Sequence, residues 1–325
     1  MNSIGTPGLW AGFSLFVLLA TVMDLVGLQR HGNRAVTARQ ALLWSLLWVS
    51  LALGFCGLLW GWLDHEQGRA LANRKALEFL TGYVIEKSLS VDNIFVFLML
   101  FTSFAVPGEQ QKKALVAGVV GAILLRLVMI LVGAWVISRF HWVLYLFGAF
   151  LLYTGAHMVW AKEEREPDPE HHPLVRWMRR HLPILPQYQG DSLAVMRDGK
   201  RWFTPLFLVV VLIGISDAMF AVDSIPAVFA VTTDPFIVAS SNIFAILGLR
   251  ALYFLLASMA TRFRLLKYGL AGVLMFVGVK MLVAGWWTVP TLLSLGVIAA
   301  LLSLSILASW RLPAAPKGAG PGALS

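Results

Sequence analysis

Charge is scarce in this chain. Asp, Glu, Lys and Arg make up 13% of its 325 residues, about half the share of an ordinary soluble domain. Cysteine is scarcer still, with Cys56 alone. That excludes an internal disulfide, a dithiol redox pair and a thiolate metal cluster. The phosphate-binding pattern GxxxxGK[ST] does not occur, nor does the GxGD pattern of intramembrane aspartyl proteases. Chemistry driven by ATP and proteolysis by paired aspartates therefore find no support. No haem or flavin motif is visible, so a redox enzyme is poorly supported too. Long polar stretches are also few, and only one, about 162–203, exceeds a short loop.

What fills the chain instead is hydrocarbon. Hydrophobic residues make up 58% and the mean hydropathy is +0.76. A bilayer core needs about 20 apolar residues as helix. Nine stretches qualify: 7–28, 40–63, 77–103, 114–137, 142–161, 204–231, 238–260, 265–286 and 289–309. The expected fold is an all-α polytopic membrane protein. The first stretch reads as an uncleaved anchor, because its basic cluster, Arg30, Arg34 and Arg39, follows it. Lys and Arg divide unevenly between the two sets of loops. One set holds only Arg69, Arg74, Lys75 and Arg139, whereas the other, with the C-terminal tail, holds eighteen. The positive-inside rule puts the N-terminus outside and the C-terminus in the cytoplasm. It also explains the net charge of +9 without nucleic acid.

The sequence repeats. Glu86-Lys87-Ser88-Leu89-Ser90-Val91-Asp92-Asn93-Ile94 aligns with Asp217 through Val222-Asp223-Ser224-Ile225. Ala122–Arg126 resembles Ala245–Arg250, and Gly155-Ala156-His157-Met158 resembles Gly278-Val279-Lys280-Met281. Three matches in order imply an inverted three-plus-three repeat, the plan of many secondary transporters. The chain then divides into two N-terminal helices (1–76), a first repeat (77–161), a cytoplasmic loop (162–203), a second repeat (204–286) and a last helix with its tail (287–325). In the loop, Gln189-Gly190 and Asp198-Gly199 flank SLAVMR and predict a short hairpin. His171, His172 and His181 could gather metal at the cytoplasmic mouth, but read first as solvated linker residues with no fixed partner.

Ionisable residues inside spans are costly and demand a reason. The acids are Asp24, Glu86, Asp92, Asp217 and Asp223; the bases are Lys87, Arg126, Arg250 and Lys280. Glu78 is set aside as lying near a boundary. Acids six residues apart lie about 120° apart around a straight helix. Glu86 with Asp92, and Asp217 with Asp223, can converge only if the helices are broken, and Pro226 would help in the second case. With Asn93 and Ser224 they offer hard oxygen donors, suited to Mg²⁺, Ca²⁺ or Mn²⁺. The bases read mainly as counter-charges. Met219, between two acids, reads as a packing residue, although a thioether there would favour a transition metal. His157 reads as a hydrogen-bonded core histidine. Asp24 is equally readable as a snorkelling or pairing residue and as part of a transport path.

The segments EKSLSVDNIFVF and SDAMFAVDSIPAVFAVTTDPFIVASSNIFAILGLRALYF resemble the TerC family of bacterial membrane proteins over roughly 77–285. That family is similar to the wider LysE-type exporters, which share the three-plus-three plan. It carries tellurite-resistance and redox labels, and a role in Mn²⁺ export. The resemblance implies a site of Glu86, Asp92, Asn93, Asp217, Asp223 and Ser224, with Mn²⁺ as the transported ion rather than a cofactor. The expectation is a non-enzymatic exporter of the bacterial inner membrane, in contact with lipid and with protons as the natural counter-ion. Alternatives are export of another divalent ion such as Ca²⁺, an oxyanion path through Arg126 and Arg250, and a non-transporting stress, redox or tellurite-resistance factor.

Overall fold

The computed structural model describes residues 3–30, 38–140, 142–160, 173–197, 199–257, 265–287 and 289–311. Its helices are α1 (Pro7–Arg30), α2 (Ala38–Gln67), α3 (Arg69–Ser103), α4 (Gly108–Arg139), α5 (Val143–Trp160), α6 (Pro173–His181), α7 (Pro205–Phe229), α8 (Pro235–Leu247), α9 (Leu249–Ala257), α10 (Leu266–Val283) and α11 (Thr291–Arg311). Helix covers most of every apolar stretch read from the sequence. Six helices are long and apolar enough to cross a membrane, or seven if α8 and α9, bent by 41°, form one broken span. The protein is thus a multi-pass integral membrane protein. Leucines and aromatics stand exposed along its helices, for example Leu58, Trp135 and Leu304. These are side chains that hydrocarbon solvates.

Two strands, β1 (Ala194–Arg197) and β2 (Lys200–Phe203), form the antiparallel hairpin predicted around Asp198-Gly199. Gly199, at φ 72°, supplies the left-handed turn residue. The short helix α6 ahead of it was not foreseen, because nine residues are too few for the span pattern.

Neither helix that carries an acid pair breaks. α3 runs unbroken for 35 residues, and α7 continues through Pro226 to Phe229. The interruption that would have let each acid pair converge does not form. It falls instead at Gly248, between α8 and α9. Gly248 is the extra residue that separates Ala245–Arg250 from Ala122–Arg126 in the repeat alignment. A Cβ there would come within 2.7 Å of Lys87 Nζ and 3.1 Å of the Trp48 side chain. Lys87 donates a hydrogen bond to the Ala245 carbonyl at this break (3.1 Å), which supplies a donor at the end of α8.

The packing crosses over. α3 lies against α8, α4 against α7, and α5 against α10. The α5–α10 crossing is close because glycine lines it. A Cβ on Gly278 would meet the Gly148 carbonyl oxygen at 2.7 Å, and a Cβ on Gly155 would meet that of Ala271 at 2.8 Å. Small residues at a crossing let helix backbones approach in lipid. A further knot of rings, Phe13, Phe55, Phe79, Phe236 and Phe244, joins α1, α2, α3 and α8.

Candidate metal centre

The centre of the molecule is built on Arg126 of α4, whose side chain is wholly buried. Its Nε donates to Asp217 Oδ2 (3.1 Å) and its Nη2 to Asp217 Oδ1 (2.9 Å), a bidentate grip on α7. Its Nη1 donates to Glu86 of α3. The same nitrogen lies 3.2 Å from Asn242 Oδ1 and 3.4 Å from Ser224 Oγ. The planar, always-charged fork of arginine suits such a multi-partner role. Asn242 Nδ2 donates to the second Glu86 oxygen (2.9 Å), and Asn93 Nδ2 donates to Asp217 Oδ1 (3.2 Å). Four helices, α3, α4, α7 and α8, therefore meet in one polar knot. Two carboxyl groups face one guanidinium there.

Helical geometry explains which residues arrive. Glu86 and Asn93 are seven apart, about 20° short of two full turns, and so share a face of α3. Asp217 and Ser224 share a face of α7 for the same reason. Asp223 is turned away and half-buried, with the Thr154 hydroxyl of α5 as a hydrogen-bond donor. Of the six residues expected at the site, Glu86, Asn93, Asp217 and Ser224 come together and Asp223 lies apart. The side chains of Asp92 and Asp24 lie outside the described residues, as do His171 and His172.

Three buried polar atoms of α3 lack a hydrogen-bond partner, Tyr83 Oη, Ser90 Oγ and Asn93 Oδ1, and the last two lie toward Asp217 from Glu86 along the helix. Ser90 lies four residues from Glu86 and three from Asn93, between them on their shared face. Buried polar atoms without partners are exceptions that call for a reason. Here they are hard oxygen donors, with Asn93 itself against Asp217, and oxygen donors of this kind suit a hard divalent cation. Among the described residues, no three His, Cys, Asp or Glu side chains gather at one point. Any cation held at this centre would thus draw on amide and hydroxyl oxygens as well as the two acids.

Other expectations change. Met219 is 69% exposed on the outer surface of α7 and contributes no thioether to the centre. His157 is exposed beside Tyr153, not a core residue, since α5 is covered on one side only. His181 is not an unpartnered linker residue: it ends α6, with Nδ1 2.9 Å from the Trp177 carbonyl oxygen. Arg126 is the counter-charge it was read as. Arg250 is half-buried on α9. Asn242 was missed, although the Ser240-Ser241-Asn242 triplet is a polar interruption in an apolar run, and all three are buried.

Glu78 proves to belong to a second ionic cluster. Its Oε2 accepts from Lys75 Nζ (2.8 Å) and Thr232 Oγ1 (2.7 Å). Lys75 also pairs with Asp234 (3.2 Å). Asp234 caps α8 through the Phe236 amide (3.1 Å) and holds the N-terminal segment through Ser3 Oγ (2.8 Å) and the Ile4 amide (3.0 Å). A cavity of about 370 Å³ opens beside it, lined in part by Lys75, Glu78, Thr232 and Lys280. Lys280 thus stands with this cluster rather than with the centre.

The chain is 52% identical over 311 residues to an Escherichia coli K12 protein provisionally named membrane-bound redox modulator Alx, covering 95% of this chain and 97% of that one. Proteins of the same name from Salmonella typhi and Photorhabdus laumondii are 51% and 49% identical, covering 94% of this chain and 95% and 96% of theirs. No solved structure matches. Residues 71–316 match the family described as integral membrane protein TerC. That span takes in α3, α4, α7 and α8, whose side chains form the buried centre, and the chain belongs to the TerC family of integral membrane proteins.

Proposed function

We propose that the protein is a secondary-active exporter of a divalent metal cation, Mn²⁺ in the first instance, and not an enzyme. The carrying observation is the buried centre: two carboxyl groups at positions aligned in the sequence, held by one guanidinium, with unpartnered amide and hydroxyl oxygens on the same helix as Glu86. Intramembrane ionisable residues mark ion paths by default. The crosswise packing of α3 with α8, α4 with α7 and α5 with α10 supports the inverted repeat. So do the two glycine contacts: with Gly155 aligned to Gly278, Gly148 falls opposite Ala271, and exchanging the halves turns one contact into the other. On this reading α8 and α9 form one broken span, α1 and α3 also cross, and nine spans leave the N-terminus outside.

Arg126 then serves as the resident counter-charge. It holds Glu86 and Asp217 in place until a cation competes for their oxygens. Protons are the proposed exchange partner, because carboxyl groups that give up a cation can take up protons in its place. Export of another divalent ion such as Ca²⁺ is the second reading, since hard oxygen donors serve both. The redox name of the relatives finds no dithiol here: Cys56 is the chain's only thiol and is buried.

The test is Mn²⁺ flux in vesicles reconstituted with the wild type, Glu86→Gln or Asp217→Asn, each shown to be folded. The reading expects wild-type flux that responds to an imposed pH gradient and is lost in both variants. A folded wild type that moves neither Mn²⁺ nor Ca²⁺ overturns it. Flux indifferent to the gradient removes the proton coupling alone.

A further inference from the structure

A different surface lies between α5 and α7. Helix α6 has the sequence PLVRWMRRH. Val175 and Met178, three residues apart, are buried and fasten it to the body of the protein. Arg176, Trp177, Arg179, Arg180 and His181 stand exposed on its other side. The Trp177 ring stacks on His181 with centroids 4.8 Å apart. The hairpin adds exposed Arg197, Lys200 and Arg201. Neither α6 nor the two strands contains an acidic residue.

Beside this basic face is a cavity of about 380 Å³. Leu185, Pro186, Pro205 and Leu208 give it apolar walls, and Arg179 is its one charged lining residue. Tyr188 closes one side by donating from its hydroxyl to the Phe104 carbonyl at the end of α3 (2.7 Å). Pro205 is the first residue of α7, and Leu208 lies in its first turn. The cavity therefore sits at the depth where α7 enters the membrane. A cleft with both polar and apolar walls at that depth, with a guanidinium in its lining and an exposed tryptophan nearby, matches an amphiphile carrying a phosphate.

We propose that this face binds an anionic phospholipid of the adjoining leaflet. The phosphate lies against Arg179, Arg176 and Arg180 add attraction, and the first carbons of an acyl chain enter the cleft beside Leu185 and Leu208. Trp177 takes the interfacial position that indoles favour. The loop would then be fixed on the membrane surface beside the ends of α3 and α7, the two helices that carry the acids of the centre.

The test uses the full chain purified in detergent. Native mass spectrometry counts bound phosphatidylglycerol against phosphatidylcholine, and thermal unfolding is followed with each lipid. The wild type is expected to retain phosphatidylglycerol selectively and to unfold at higher temperature with it. Arg179→Gln is expected to lower retention about fivefold, and the triple variant Arg176→Gln/Arg179→Gln/Arg180→Gln about a hundredfold. Arg179→Lys keeps the charge and should retain most of the binding, which separates lost charge from lost fold. Arg74→Gln, at the N-terminal end of α3, should leave lipid retention unchanged. Equal retention in wild type and triple variant overturns the proposal, as does displacement by inorganic phosphate alone. Selective binding that appears only after Glu163→Gln/Glu164→Gln/Glu166→Gln also overturns it, because the acidic stretch before α6 would then be the native occupant.

Discussion

The two ionic clusters of this protein stand about 12 Å apart along α3, eight residues from Glu78 to Glu86. Each has a base that bridges two acids, Lys75 between Glu78 and Asp234 and Arg126 between Glu86 and Asp217, and the first adds Arg74 beside Glu78 (3.9 Å). Their connections differ. The first ties turns and ends together, capping α8 and anchoring residues 3–4. It satisfies its own atoms with a threonine and backbone amides. The second ties four helix midsections together and leaves Asn93 Oδ1 and Ser90 Oγ without partners. Buried ion pairs alone are weak evidence for function. What separates the clusters is spare oxygen: the first closes a structure, and the second has donors left for something else.

Four changes sharpen that contrast. The largest effect is expected from Arg126→Met, which strands two buried carboxylates. It should cost about 3–5 kcal/mol, read by unfolding in detergent. The matched variant Glu86→Gln/Arg126→Met/Asp217→Asn should regain most of that stability and still bind no Mn²⁺. Next is Asp234→Ala, which removes a helix cap, a lysine partner and the anchor of Ile4. It should cost about 2–3 kcal/mol, while Mn²⁺ flux per folded molecule stays within about twofold. Gly278→Ala would press a methyl group on backbone atoms of Gly148 and Leu152. The α5–α10 crossing must widen, at about 1–3 kcal/mol, with the centre's residues untouched. The smallest effect on stability, about 1 kcal/mol, is expected from Asn93→Ala. Yet that variant should bind Mn²⁺ at least about tenfold more weakly, as titration followed by electron paramagnetic resonance would show. A first-cluster variant that loses Mn²⁺ binding, or an Asn93→Ala protein that keeps it, would erase the distinction.

Much of this was legible before any coordinates. Long apolar runs require helix, because backbone groups in hydrocarbon can be satisfied only within the segment. The hairpin followed from its turn residues. Four of the six expected site residues meet because residues seven apart share a helix face on α3 and on α7. The conspicuous signal, however, was the six-residue spacing of Glu86–Asp92 and Asp217–Asp223. The signal that counts is the seven-residue spacing of Glu86–Asn93 and Asp217–Ser224, which keeps one face without a break. Pro226 suggested a break in α7 that did not form. The break sits at Gly248, where the repeat alignment already carried an extra residue. Asn242 and the ties between Glu78 and Thr232 and between Lys75 and Asp234 were hidden for another reason. They depend on which distant helices become neighbours, and local pattern does not encode that.

The most direct measurement is Mn²⁺ binding by the purified full chain, followed by electron paramagnetic resonance, with wild type, Asp217→Asn and Glu78→Gln compared at matched folding. The wild type and Glu78→Gln are expected to bind alike, and Asp217→Asn is expected not to bind. Binding that survives Asp217→Asn and vanishes in Glu78→Gln would contradict it, and would move the cation from the buried centre to the cluster at the N-terminal end of α3.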